Sequence, residues 1–130
     1  MTAKKPPANP VTPAASDAFS LFVMKWQARL NLMDWRIHKS EKPASKKNMA
    51  EVVQMDLEAK LATYRIGSDF GGTPVTAQSV EETACHEMLH VFLHPLLEAA
   101  QDRSITAEQL NGIEHAVINT LVHILVPESD

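Results

Sequence analysis

The sequence predicts an α+β fold, with one helix, then a small and mostly antiparallel sheet of about three strands, then two further helices. Apolar residues recur at intervals of three and four near the start of the chain and again in its second half, as they do on helices that face a core. Between these regions apolar and polar residues alternate, which is the period of half-buried strands. Two capping-box patterns predict where the later helices begin.

The composition bounds the domain organisation and the classes of partner. The chain has 130 residues, enough for one compact domain, which we place at residues 16–130. Residues 1–15 are rich in Pro and Ala, so we expect a flexible tail there. The net charge of −4 argues against a nucleic-acid partner, and no apolar run approaches the ~20 residues that span a bilayer. Because the start of the chain also lacks the apolar stretch of a signal peptide, we expect a soluble protein of the cytoplasm.

The first helix is predicted to begin at a cap formed by Ser16 or Asp17. Beyond this cap, large apolar residues follow at spacings of three and four, which places them on one face of a helix. These residues are Phe19, Phe22, Val23, Trp26, Leu30 and Met33.

Three short strands are predicted next. Alternation predicts the first strand around Trp35 to Lys39 and the second from Val53 to Leu57. Leu61 to Gly67 reads as the third, paired with the second through a tight turn at Glu58 to Lys60. The lysine-rich segment from Lys39 to Lys47 is interpreted as a solvated loop.

Two helices complete the predicted fold. Ser79 and Glu82 form a candidate capping box for a helix that runs toward His94, where Pro95 should end or kink it. Thr106 and Gln109 form a second box, and the last helix is expected to reach about Val126.

The segment His86-Glu87-Met88-Leu89-His90 carries the strongest chemical signal. On a helix, positions i and i+4 lie one turn apart on the same face, so both imidazoles can point at one ion. Zinc accepts neutral imidazole nitrogen as a ligand. Glu87 lies beside the two histidines and can reach a metal-bound water, take its proton and pass it to a leaving amine. The sequence therefore predicts a Zn²⁺ site with Glu87 as the general base.

Glu114 is the predicted third metal ligand. On a helical wheel it falls in the middle of the apolar stripe of the last helix, where a carboxylate is rarely buried unless it is paired or bound to a metal. A zinc ion held by His86 and His90 would supply that partner. The alternative is that Glu114 lies at the edge of the stripe, where it is solvated or forms a salt bridge with an arginine.

Five other residues are weaker candidates. His94 is an alternative ligand or lies in the pocket wall, and His115 is an alternative ligand or a surface group. Tyr64 could donate to a developing oxyanion if its strand borders the site, although a lone tyrosine in a strand usually serves packing. Asp102 is a possible carboxylate ligand but reads better as loop surface. Cys85, the only cysteine, points away from the histidines and reads as a small core residue.

Taken together, HEMLHVFLHP and the later GIEHAVINTL segment resemble a small HExxH zinc metallopeptidase of the gluzincin type. The resemblance is closest to SprT-like minimal domains and to metallopeptidases encoded by phages, and it covers roughly residues 17–126. It implies a zincin-like fold, Zn²⁺ held by His86, His90 and Glu114, Glu87 as the base, and a protein or peptide substrate. An exposed edge strand, which we expect to be Leu61 to Gly67, would pair with the extended substrate.

Two other functional classes stay open on sequence alone. A non-catalytic binding or regulatory module could use zinc only to hold two helices together, as small domains often do. A metal-free interaction domain could instead use its apolar helices to form a homodimer. The metzincin pattern is excluded, because Leu93 and Leu96 occupy its required Gly and His positions.

Overall fold

The computed structural model describes residue 6, residues 8–45 and residues 47–126, and it confirms the α+β class. Three helices and one three-stranded mixed sheet follow in the predicted order. Their bounds are α1 (Pro13–Arg29), β1 (Arg36–Lys39), β2 (Ala50–Asp56), β3 (Leu61–Ile66), α2 (Ala77–Gln101) and α3 (Ala107–Leu125). None of the described helices has the length and apolar character needed to cross a membrane.

Helix α1 begins earlier than predicted, inside the segment that we expected to be a flexible tail. Thr12 is its N-cap, with the hydroxyl accepting from the Ala15 N–H at 3.1 Å, and Pro13 occupies the first turn. Proline is favoured there because it has no N–H to leave unpaired and its φ is already helical. The preceding chain is also held, since Pro10 forms a bridge with Asp69. Residues 1–5 and residue 7 of the expected tail lie outside the described residues.

The sheet has the strand order β1-β3-β2, so the expectation that residues 61–67 form the exposed edge strand is wrong. β3 is the central strand, because β1 pairs with it in parallel on one side and β2 pairs antiparallel on the other. The tight turn correctly predicted the β2–β3 hairpin. The alternation of apolar and polar residues does not indicate that β1 pairs in parallel with β3. The edges among the described strands are therefore β1 and β2.

Strand β2 is interrupted by a bulge close to its end. Val53 pairs with Thr63, whereas the next recorded pair is Asp56 with Leu61, and Gln54 between them has a φ of 55°. A non-glycine residue rarely adopts this left-handed backbone conformation outside turns and bulges.

Helix α2 continues through Pro95 to Gln101, so the predicted end or kink near His94 does not terminate it. It begins at Ala77 with a capping box between Thr76 and Ser79, three residues before the box that the sequence suggested. Proline inside a helix removes one hydrogen bond and costs about 3 kcal/mol. Burial of Phe92 and Ala99 on either side of Pro95 offsets this cost, because both turns are packed.

The core lies between α1, the sheet and α2. Helix α2 contributes a row of fully buried side chains, to which α1 and β3 add theirs. The innermost members are Phe19, Val23, Ala62, Val80, Ala84, Met88 and Val91. The predicted Thr106–Gln109 capping box of α3 is present, but none of the side chains of α3 is buried. Val117, Leu121 and Ile124 only reach the margin of the core.

Candidate metal centre

Helix α2 brings His86, Glu87 and His90 together on its sheet-facing margin. One ligand atom from each residue lies within 4.8 Å of those from the other two. The Nε2 atoms of His86 and His90 are 3.2 Å apart, and the ring centroids are 4.9 Å apart. The described part of the chain therefore contains a group that could hold a metal ion.

The separation of the two imidazole nitrogens fits a shared tetrahedral ion. With metal–nitrogen bonds of 2.0–2.1 Å, two tetrahedral ligands lie roughly 3.3 Å from one another, close to the observed 3.2 Å. The same distance also suits a hydrogen bond between one neutral ring and the other. Both rings are exposed, with the His86 side chain 68% accessible, so solvent ions reach them directly.

Glu87 differs from the histidines because it is buried, with only 5% of its surface exposed. Burial raises the pKa of its carboxyl, while the neighbouring His90 and His86 and a hydrogen bond from the Val52 backbone N–H act in the opposite direction. Its Oε1 lies 4.0 Å from His86 Nε2. A carboxyl with a raised pKa beside two imidazoles is suited to accept a proton and release it again.

Strand β2 forms the other wall of the centre, a placement that no local pattern in the sequence predicts. The Val52 backbone in this edge strand lies beside Glu87 and lowers its pKa, whereas the carboxylate of Glu51 lies near enough to raise it further. Glu51 is itself held by Arg65 at 3.6 Å and accepts from the Ser45 N–H. The alternating pattern indicated a strand in this region, but only the tertiary packing brings its edge to α2.

Glu114 is not brought to the two histidines. Its side chain is exposed on α3, and it is not part of the clustered group. The face of α3 that meets the core includes Val117 and Leu121. Around the helix, Glu114 lies about 60° from Val117 and about 20° from Leu121, so it is exposed at the margin of this apolar face. The third-ligand role of Glu114 therefore stays a prediction, which zinc binding to a Glu114 variant tests.

The two alternative histidine ligands, His94 and His115, contact other residues. His94 is half-buried, with its ring edge against Trp35 and its Nε2 3.3 Å from Glu98. Its buried Nδ1 has no hydrogen-bond partner among the described residues. His115 is exposed, and its Nδ1 donates to the Asn111 carbonyl at 2.8 Å, as a surface residue of α3.

The three remaining candidates, Tyr64, Asp102 and Cys85, are not members of the clustered group. Tyr64 is buried against α1 and donates to Ser20 Oγ at 2.9 Å, and burial raises its pKa. Asp102 caps the end of α2 and accepts from Ser104 in the following turn. Cys85 is half-buried beside His86, and burial raises the pKa of its thiol. Tyr64 and Asp102 thus serve packing and turn formation.

Two of the described cavities touch the centre, one at each histidine. A cavity of about 490 Å³ has His86 in its wall, and one of about 390 Å³ has His90. A larger cavity, of about 580 Å³, lies near the start of α1 beside Lys39 and Lys42 and contains none of the clustered residues. Since the titratable groups that can bind a metal or move a proton are at α2, we place the candidate site there.

No family model, curated protein or solved structure matches this chain. The geometry of His86, Glu87 and His90 on α2 shows a group of side chains that could hold a metal ion.

Proposed function

We propose that the protein is a zinc-dependent metallopeptidase in which His86 and His90 hold Zn²⁺ and Glu87 is the general base. One observation carries the proposal, namely the two Nε2 atoms at 3.2 Å with a buried carboxyl directly beside them. Imidazole nitrogen suits zinc, and the HExxH spacing resembles that of zinc peptidases.

The chemistry divides between the metal and the chain. Zinc held by His86 and His90 would supply Lewis acidity toward a scissile carbonyl and would lower the pKa of water toward ~7. Glu87 takes a proton from the attacking water and later delivers it to the nitrogen of the leaving amine. Its burial supports this role, because the raised pKa makes the carboxylate a better proton acceptor than an exposed glutamate.

Strand β2 is the proposed binding edge for an extended peptide. It has a strand neighbour on one side only among the described residues, and Val52 lies against Glu87. A substrate that pairs with this edge would run past the base. This edge replaces residues 61–67, whose two sides are both occupied.

In this proposal the chain provides two zinc ligands, His86 and His90. Glu114, which the resemblance implies as the third ligand, is exposed on α3 and is not a member of the clustered group. Solvent would then complete the coordination.

Glu87→Gln tests the catalytic role. The variant should fold and bind zinc as the wild type does, but lose at least 100-fold in the rate of hydrolysis of an unfolded polypeptide. Glu98→Gln, an exposed change on the same helix, is the matched control and should keep full activity. Hydrolysis that survives Glu87→Gln would contradict the proposal.

A second function is favoured by one observation, that Glu87 itself offers one of the three clustered ligand atoms. If Glu87 binds the metal, no base remains, and the metal would only stabilise a binding or regulatory module. The zinc affinity of Glu87→Gln separates the two functions. The affinity should fall sharply if Glu87 is a metal ligand and change little if Glu87 is the general base.

A further inference from the structure

An apolar groove begins at His90 and follows α2 toward its end. Its volume is about 390 Å³, within the roughly 300–1,000 Å³ range of sites that bind small ligands. The residues that line it are His90, Leu93, Leu96, Leu97 and Ala100, and we call it the His90 groove.

The lining of the His90 groove specifies the chemistry of its occupant. His90 is its only polar side chain, and the other four are aliphatic. Leu93 and Leu97 leave 43% and 58% of their surfaces exposed. Covering this apolar surface would lower the free energy, because removal of a leucine side chain from water is favourable. An apolar group therefore fits this groove better than a charged or hydroxyl-bearing one.

The groove is continuous with the candidate metal centre because both contain His90. Leu93 lies three residues beyond His90 and Leu97 seven, which is about 4.5 Å and 10.5 Å along the helix axis. An extended peptide advances about 3.3 Å per residue. These distances equal the reach of one to three extended residues from a peptide bond placed at the histidines.

We propose that the His90 groove binds a large apolar side chain of the polypeptide substrate, one to three residues from the bond that is cut. The inference rests on the proposed function, and it defines the substrate class as polypeptides that expose Leu, Ile, Met or Phe, as unfolded chains do. Leu93 and Leu97 are then the residues that determine specificity.

The cavity at His86 does not compete for the same side chain. It contains Trp26 but also Glu81 and Glu82, so its wall carries negative charge. The Glu81 carboxylate accepts from Lys25 at 2.6 Å and from the Trp26 indole at 2.8 Å, which keeps it in place. An apolar side chain would lie next to these charged groups, whereas the His90 groove offers none.

The proposal is tested by peptide binding to the metal-free wild-type chain, which cannot cleave by a metal-dependent route. Fluorescently labelled decapeptides of Ser, Gly and Ala carry one Leu that is moved through the sequence, and the reference peptide has Ser throughout. Anisotropy should show roughly tenfold tighter binding for the best Leu peptide than for the reference. Leu97→Asn should remove this preference, whereas Leu21→Asn, a control at an exposed leucine of α1, should keep it.

Two results would overturn the proposal. One is equal binding of the Leu and Ser peptides. The other is a dimer in sedimentation equilibrium that Leu97→Asn dissociates, since a second copy of the chain would then occupy the groove.

Hydrolysis by the zinc-loaded wild type distinguishes failure of the groove from failure of the proposed function. Cleavage of Leu and Ser peptides at equal rates, together with equal binding, would reject the groove and leave the peptidase in place. A Leu preference in binding without cleavage of any peptide would reject the peptidase and retain an apolar peptide-binding groove.

Discussion

Helices α2 and α3 have comparable apolar content but very different burial. α2 places Met88 and Val91 completely out of solvent between α1 and the sheet, while α3 buries no side chain and leaves Leu125 75% exposed. A helical apolar stripe is buried only on the part of its circumference that another element covers. α3 has α2 on one side of its stripe, so the rest of the stripe, including Glu114, faces solvent.

The same difference separates the two sets of predicted ligands. His86 and His90 lie on the well-packed helix, and their relative position follows from one turn of backbone. Glu114 belongs to the loosely packed helix α3, so its distance from the histidines depends on how α3 packs against α2. A ligand pair within one helix is thus more reliably predicted than a ligand contributed by another.

The largest expected effect is the contrast between core truncations in the two helices. Met88→Ala should destabilise the protein by about 2–5 kcal/mol, because it leaves a cavity in a fully buried site. Leu125→Ala should cost less than about 0.5 kcal/mol, since most of that side chain is already in water. Urea unfolding measures both changes, and equal losses would mean that α3 is as well packed as α2.

Zinc should stabilise the α2 region specifically. At a free concentration 100 times the dissociation constant, binding to the native state adds about 2.7 kcal/mol, and His90→Ala should abolish this gain. Hydrogen exchange should slow in α2 and stay unchanged in α3, since α3 contributes no clustered ligand. Slower exchange throughout α3 would show that zinc draws this helix and Glu114 into the site.

A smaller effect concerns the buried region alone. Tyr64→Phe removes the hydrogen bond to Ser20 and should cost about 1 kcal/mol at pH 7. Burial raises the Tyr64 pKa, so the folded state keeps the phenolic proton to a higher pH than the unfolded state does. The wild type should therefore lose stability as the pH rises above about 10, and Tyr64→Phe should lose less over that interval. Because Tyr64 is the only tyrosine, its ultraviolet titration gives the folded pKa directly, and an ordinary value would contradict the assignment.

The smallest expected effect is at Glu114. Glu114→Ala should leave zinc affinity within twofold of the wild type, as should the control Glu108→Ala in the first turn of the same helix, because the Glu114 carboxyl is solvated away from the histidines. Isothermal titration with zinc measures both. A tenfold loss in Glu114→Ala alone would restore the third-ligand role that the sequence predicts.

Local signals predicted much of this molecule. The Thr106–Gln109 capping box begins α3, the turn between β2 and β3 forms a hairpin, and His86 and His90 meet on α2. Each of these features depends on residues no more than a few positions apart. Where two local signals competed, packing decided the outcome, as at Pro95, which lies inside α2 because the turns on both sides are buried.

Local patterns along the chain predicted the element order, the hairpin and the histidine pair, because period, turn chemistry and helical spacing are properties of neighbouring residues. The central position of β3, the placement of Val52 beside Glu87 and the exposure of Glu114 followed instead from the packing of the elements. These three features depend on which surfaces of distant elements meet. That choice reflects the free energy of burying whole faces of helices and strands, which no short segment of the chain encodes.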